Sequence, residues 1–161
     1  MLHDWRMDRI DHRILAHLQA DASASHAELA EAVHLSPSQC SRRIARLRET
    51  GVIRGQVALL DEAALGLGVE AYVTVTMASY AREVVGGFHE RIAGLPAVVD
   101  CCALTGDADY LLRIVAHDLA AFTNLLNAEI LGHGDVANLR SSIVLDRIKR
   151  TTALPLPAPH G

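Results

Sequence analysis

Apolar positions follow a helical period in the first third of the chain, then alternate between strand and helix periods. Ile10, Ile14, Leu15 and Leu18 fall on one helix face at i, i+4, i+5 and i+8, with Asp8 ahead of them as an N-cap. Asp21-Ala-Ser-Ala-Ser25 breaks this helix. Ser25-His-Ala-Glu28 reads as a capping box, in which the Ser oxygen takes an orphan N–H and Glu28 reaches back to the cap N–H. It opens a short helix with Leu29, Ala30 and Val33 inward, ending near His34. Ser36-Pro37-Ser38-Gln39 is a second box, with proline at the first helical position, where its missing N–H costs nothing. The third helix runs to about Thr50 and stops at Gly51, a favourable residue just past a helix end. The β-rich run 52–60, with Gly55 as a turn or bulge, predicts a wing, and 61–68 is a linker carrying two glycines.

Beyond the linker, Val69, Ala71, Val73, Val75 and Met77 alternate with polar residues, a half-buried strand. Val84, Val85, Phe88, Ile92 and Leu95 return to the helical period, which Pro96 ends. The run from Val98 to Thr105 is apolar on both faces and predicts a strand packed on two sides. Gly106-Asp107-Ala108-Asp109 is turn chemistry, and Tyr110 to Ala116 a third strand. Asp118 caps a helix with Leu119, Phe122, Leu125, Leu126 and Ile130 inward, which Gly132 and Gly134 end. Val136 to Ile148 is the last strand. The order β-α-β-β-α-β is the ferredoxin-like plan. Its second sheet face needs cover, which a partner subunit would supply.

Charge separates the two halves. The net is −4 over 161 residues, which taken whole argues against a nucleic-acid binder. Yet residues 1–55 hold eight arginines against seven acids, and 42–54 alone hold five arginines and one acid. The remaining residues carry seven basic and twelve acidic side chains. On the third helix Cys40, Ile44 and Leu47 form the core stripe, leaving Ser38, Gln39, Ser41, Arg42, Arg43, Ala45 and Arg46 outward. Small polar residues in the first turn and arginines behind them suit a recognition helix reading base edges while holding phosphates. With the preceding helix and a four-residue turn this is a helix-turn-helix. A 4% aromatic content fits reading of duplex grooves better than stacking on single strands.

No apolar stretch approaches the roughly 18–20 residues of a membrane helix, and the first six residues show no signal-peptide core. Three cysteines, two of them adjacent, make a poor disulfide framework, so the expectation is a soluble cytoplasmic protein. Cys40 reads as a core hydrophobe, while Cys101 and Cys102 point to opposite strand faces with no support for a redox role. Nine scattered histidines form no metal-ligand cluster, and no phosphate loop or nucleophile elbow is present. No cofactor and no metal are expected. The turn Thr105-Gly106-Asp107-Ala108-Asp109-Tyr110 offers backbone N–H groups for a carboxylate and two aspartates for an ammonium group, which suits an α-amino acid. From spacing alone the stronger reading is a hairpin turn whose aspartates satisfy the local backbone.

Several motifs carry a family resemblance along nearly the whole chain. They are Asp8-x-x-Asp11-x-x-Ile14-Leu15, Glu28-Leu29-Ala30, Leu35-Ser36-Pro37-Ser38-x-Cys40-x-Arg42-Arg43-Ile44-x-x-Leu47 and Gly51-Val52-Ile53. Thr105-Gly106-Asp107-x-Asp109-Tyr110-Leu111-Leu112 and Lys149-Arg150-Thr151-Thr152-x-Leu154-Pro155-Leu156 complete the set. In this order and spacing the chain resembles the Lrp/AsnC family of amino-acid-responsive transcriptional regulators. The resemblance implies an α+β protein with a winged helix-turn-helix domain at 1–60, a linker at 61–68 and a ferredoxin-like ligand and oligomerisation domain at 69–161. It implies homodimers assembling to octamers, double-stranded DNA as partner, an amino-acid effector, and no catalysis. The DNA-contact set is then Ser36, Ser38, Gln39, Arg42, Arg43, Arg46 and Arg54. The effector set, between dimers, is Thr105, Gly106, Asp107 and Asp109, with Ser142 and Ile143 nearby. Two other readings exist: a ligand-binding oligomer with a vestigial DNA arm, and an enzyme akin to haem-pathway decarboxylases on the same scaffold. The intact double-capped helix argues against the first. Against the second, Tyr110-Leu-Leu-Arg-Ile-Val lacks the paired histidines a tetrapyrrole would need. The tail beyond Leu156 is expected to be disordered.

Overall fold

The structure is a computed structural model that describes residues 7–158. The expectations for the first six residues and for the tail from residue 159 lie outside the described residues. The chain divides into two compact units: the part up to Ala58 together with the tail from Lys149, and Leu59–Ile148. The tail thus belongs with the helical unit, not with the sheet unit to which the sequence pattern assigns it.

The first unit holds α1 (Arg9–Ala20), α2 (His26–Val33) and α3 (Pro37–Glu49). All three begin with reciprocal capping boxes, at Asp8/Asp11, Ser25/Glu28 and Ser36/Gln39. Each box pairs two backbone N–H groups that a helix end leaves without partners. Ile14, Leu15, Leu29, Ala30, Val33, Cys40, Ile44 and Leu47 form the core. His34 takes a left-handed conformation (φ 58°) that turns the chain sharply between α2 and α3. The tail is anchored here. The Gln19 side-chain amide donates to the Leu154 carbonyl at 3.1 Å and accepts its N–H at 2.6 Å, and Leu156 packs against the core.

The predicted wing does not form. Residues 52–60 hold no strand, and Val57, Leu59 and Leu60 are exposed. Their β propensity finds no ladder partner among the described residues, and a strand cannot exist alone. The segment is pinned instead by its backbone and by Gln56. The Ile53 N–H donates to the Leu47 carbonyl at 2.9 Å. The Gln56 amide accepts from Arg48 at 3.2 Å and donates to the Ala22 carbonyl at 3.1 Å.

The second unit holds β1 (Val69–Met77), α4 (Arg82–Ala93), β2 (Val98–Ala103), β3 (Tyr110–Ala116), α5 (Leu119–Leu125) with a π-helical continuation Leu126–Leu131, and β4 (Val136–Ile143). The sheet is antiparallel in the order β2-β3-β1-β4, the ferredoxin-like arrangement. Ala71, Val73, Val75, Met77, Leu112 and Ile114 bury one face against Phe88, Ile92, Phe122, Leu126 and Ile130. Gly132 closes the wide π turn because a Cβ there would lie 2.7 Å from the Ala128 carbonyl oxygen.

Three expectations change. β2 is an edge strand with five of its six residues exposed, not a strand packed on two sides. Leu119, expected inward, is 55% exposed at the start of α5. β4 ends at Ile143, and Leu145 and Ile148 beyond it are almost fully exposed. Apolar content alone does not separate an edge strand awaiting cover from a central one. The second sheet face is mixed: Glu70, Tyr72, Thr74 and Thr76 of β1 are half-buried. Glu70 there accepts from Arg113 at 2.5 Å and pairs with Arg147, and Arg113 also reaches Glu62 at 3.3 Å.

Candidate functional site

α3 presents its first turn to solvent, and its cap decides what that turn can still offer. Ser36 Oγ accepts the Gln39 N–H at 3.3 Å, and Gln39 Oε1 accepts the Ser36 N–H at 3.1 Å. Ser36 is therefore occupied by capping, while Gln39 keeps its amide N–H donors and Ser38 is exposed beside it. Arg42 is exposed and has no hydrogen bond or ion pair among the described residues; Arg54 likewise. Ser41, expected outward, is half-buried.

Arg43 and Arg46 stand differently. Asp11 is fully buried, and its two oxygens receive Arg43 Nη1 and Arg46 Nη2, each at 2.8 Å. Arg43 Nη1 also lies 2.8 Å from Asp8 Oδ2. The Arg43 side chain is 25% exposed and that of Arg46 47%. Partial burial works to raise the Asp8 carboxyl pKa, but the Asp11 N–H and the Arg43 guanidinium outweigh it and hold that pKa below its usual value. Burial likewise disfavours the Arg43 charge, and the two aspartates more than restore it. The helical period alone points Arg43 outward with Arg42; the structure turns it into the α1–α3 contact. The signal is present in Asp8-x-x-Asp11, two acids on the first helix of which the sequence pattern accounts for one, as a cap.

The turn between β2 and β3 brings Thr105, Gly106, Asp107 and Asp109 together. Gly106 has φ +125°, which favours glycine. Thr105, Gly106 and Asp107 are exposed, and Asp107 makes no hydrogen bond among the described residues. Asp109 is half-buried and already engaged. Its carboxylate accepts the Met77 N–H at 2.7 Å and the Tyr80 hydroxyl at 3.1 and 3.2 Å, while its own N–H donates to Val75 at 2.9 Å. Tyr80, 72% exposed, is a residue that sequence reasoning misses, and no spacing rule points to it. The Asp109 carboxylate raises the Tyr80 pKa, since it stabilises the protonated phenol.

Ser142 and Ile143 do not join this cluster within one chain. They pair with Tyr72 and Ala71, whereas Val75, beside the turn, pairs with Leu139. At about 3.3 Å per residue they lie well down the sheet.

An open groove of about 580 Å3 runs between α4 and β2, lined by His89, Ile92, Val98, Asp100, Cys101 and Tyr110. His89 Nε2 and the Tyr110 hydroxyl are 2.8 Å apart across it. Burial raises the Cys101 thiol pKa, so the thiol form is favoured. Among the described residues no group of His, Cys, Asp or Glu is arranged to hold a metal ion, and no helix is long and apolar enough to cross a membrane.

Comparison with known proteins assigns both units. Residues 7–48 match the AsnC-type helix-turn-helix domain, and residues 70–154 the Lrp/AsnC ligand binding domain. The chain is 35% identical over 150 residues to the transcriptional regulator AzlB of Bacillus subtilis, covering 93% of this chain and 96% of that protein. It is 34% identical over 148 residues to the leucine-responsive regulatory protein of Klebsiella pneumoniae, covering 92% and 90%. A crystal structure of a Neisseria meningitidis transcriptional regulator in complex with L-Met superposes with a TM-score of 0.89 at 38% identity, covering 92% of this chain and 96% of that one. Two family domains in this order, on a capped three-helix unit and a four-stranded antiparallel sheet, place the chain in the Lrp/AsnC family of transcriptional regulators.

Proposed function

We propose that this regulator reads double-stranded DNA through α3 and that an amino acid bound at the 105–109 turn alters its DNA binding or assembly. The observation that carries the reading is α3 itself. Cys40, Ile44 and Leu47 bury one face, and the opposite face offers Ser38, Gln39 and Arg42 to solvent. Side chains in the first turn of such a helix can reach base edges, and arginines take phosphates. Arg46 keeps about half its side-chain surface exposed while it pairs with Asp11. Arg54 follows α3 as a further basic side chain. Ser36 acts through its cap.

The effector reading rests on the exposed Thr105, Gly106 and Asp107 beside Asp109, within the stretch matching a ligand binding domain. The L-Met complex of the similar Neisseria regulator supports an amino acid as its chemical class. Ser142 and Ile143 complete the site if a second subunit brings its own β4 to the turn. Exposed Val57, Leu59, Leu145 and Ile148 and the mixed second sheet face favour such assembly, first as a homodimer and then as an octamer. The reading assigns the protein to the cytoplasm, with no catalytic step and no cofactor. Thermal shift across the twenty amino acids, paired with gel shifts on genomic fragments, tests it. Stabilisation by at least one amino acid that also changes a shift supports the proposal; no stabilisation by any removes the effector site.

A further inference from the structure

Neighbouring residues on an α-helix point about 100° apart, so adjacent arginines face different surroundings. On α3 this separates Arg42 from Arg43. Arg43 leans toward α1, where Asp11 is fully buried and Asp8 lies beside it, and its guanidinium lies within 2.8 Å of both carboxylates. Arg42 extends to solvent with no partner among the described residues. The Asp11 oxygens have no spare company: Oδ1 takes Arg43, and Oδ2 takes Arg46 and the Asp8 N–H at 3.2 Å. Moving Arg43 to a phosphate would strip one guanidinium from a carboxylate that water does not reach. Moving Arg42 breaks no contact among the described residues.

We infer that Arg43 is a positioning residue that locks α3 onto α1 through Asp11, and that Arg42 alone of this adjacent pair contacts a DNA phosphate. The inference rests on the DNA-binding reading. Asp11 thereby sets the recognition helix, although it lies on another helix and is itself out of reach of solvent. The family-like Arg-Arg pair divides into one side chain that faces the nucleic acid and one that faces the protein.

The test is the salt dependence of binding to a mixed-sequence DNA duplex by fluorescence anisotropy. Each phosphate of B-form DNA that a protein cation neutralises adds about 0.9 to the magnitude of the slope of log K against log salt. Arg42→Ala leaves one phosphate without its cation and is expected to flatten the slope by about that amount. Arg43→Ala, checked as folded by circular dichroism, is expected to keep the wild-type slope even where its overall affinity is lower. Because Arg43→Ala takes a partner from the buried Asp11 and can unfold, Asp11→Asn serves as the second variant. It removes one of the two anions that hold Arg43, leaving Asp8, and the loosened guanidinium is expected to steepen the slope. An Arg43→Ala slope flattened as much as that of Arg42→Ala, or an unchanged Asp11→Asn slope, overturns the inference while leaving DNA binding intact. Wild-type protein showing no salt-dependent binding overturns both.

Discussion

The Tyr80 hydroxyl lies 3.1 Å from Oδ1 and 3.2 Å from Oδ2 of Asp109, and the Met77 N–H donates to the same carboxylate at 2.7 Å. Asp109 thus joins the start of β3 to the end of β1 and to the loop after it. The two acids of the turn have different duties, because Asp107 has no such bonds among the described residues. Asp109→Ala is expected to destabilise the sheet unit by about 1–3 kcal/mol, through the absence of charge-assisted bonds and an unpaired N–H. Asp107→Ala is expected to leave thermal stability unchanged while weakening amino-acid binding. Paired melting curves and calorimetric titrations with the twenty amino acids distinguish them; equal melting temperatures for the two variants would contradict this division.

Asp11 carries the helical unit in a comparable way. Asp11 is a fully buried carboxylate with two guanidinium partners, so its removal takes one anion from each of Arg43 and Arg46, and Arg43 is left with Asp8. The guanidinium groups left behind are partly exposed, so water offsets part of the cost, and the expected destabilisation is about 1–3 kcal/mol. Asp11→Ala should lower the unfolding free energy in urea by an amount of that order and move the midpoint down, whereas Arg42→Ala should leave the midpoint in place.

The Glu70 cluster predicts an acid limit. Hydrogen bonding to Arg147, and then to Arg113, lowers the Glu70 pKa against the opposing effect of burial. A carboxylate whose folded pKa lies below its unfolded value of about 4.3 contributes stability above that value. The contribution is lost as pH falls through the folded pKa. Melting temperature measured from neutral pH to below about pH 4 should therefore fall more steeply in the wild type than in Glu70→Gln. Parallel curves would contradict the assignment.

The tail supplies a further case. Leu154 exchanges two hydrogen bonds with the Gln19 amide, and Leu156 covers part of the helical core. Ending the chain at Thr152 should destabilise the helical unit by on the order of 2 kcal/mol, the sum of two exposed hydrogen bonds and one half-buried leucine. An unchanged denaturation midpoint would show that the tail merely rests there.

Much of this architecture is legible in the sequence because its signals are local. The boxes at Ser25/Glu28 and Ser36/Gln39, the Cys40-Ile44-Leu47 stripe and the period-two alternation of Val69 to Met77 need only neighbours a few residues away. The features that the sequence misleads on depend on distant partners. Residues 52–60 have strand propensity, but a ladder requires a second strand, and none among the described residues pairs with them. β2 is apolar enough for a centre strand yet lies at the edge. Arg43 and Arg42 are identical in sequence terms; only the packing of α1 against α3 separates them. Tyr80 reaches Asp109 across 29 positions, a contact no periodicity encodes.

The central claim is that α3 reads specific duplex DNA under amino-acid control. Selection of bound fragments from sheared genomic DNA, with and without each amino acid, followed by sequencing, tests it most directly. The account predicts discrete enriched fragments with paired half-sites about one helical turn, or a multiple of it, apart, with occupancy shifted by at least one amino acid and recovery reduced in Arg42→Ala. Recovery no different from background, or enrichment indifferent to Arg42→Ala and to every amino acid, would contradict it.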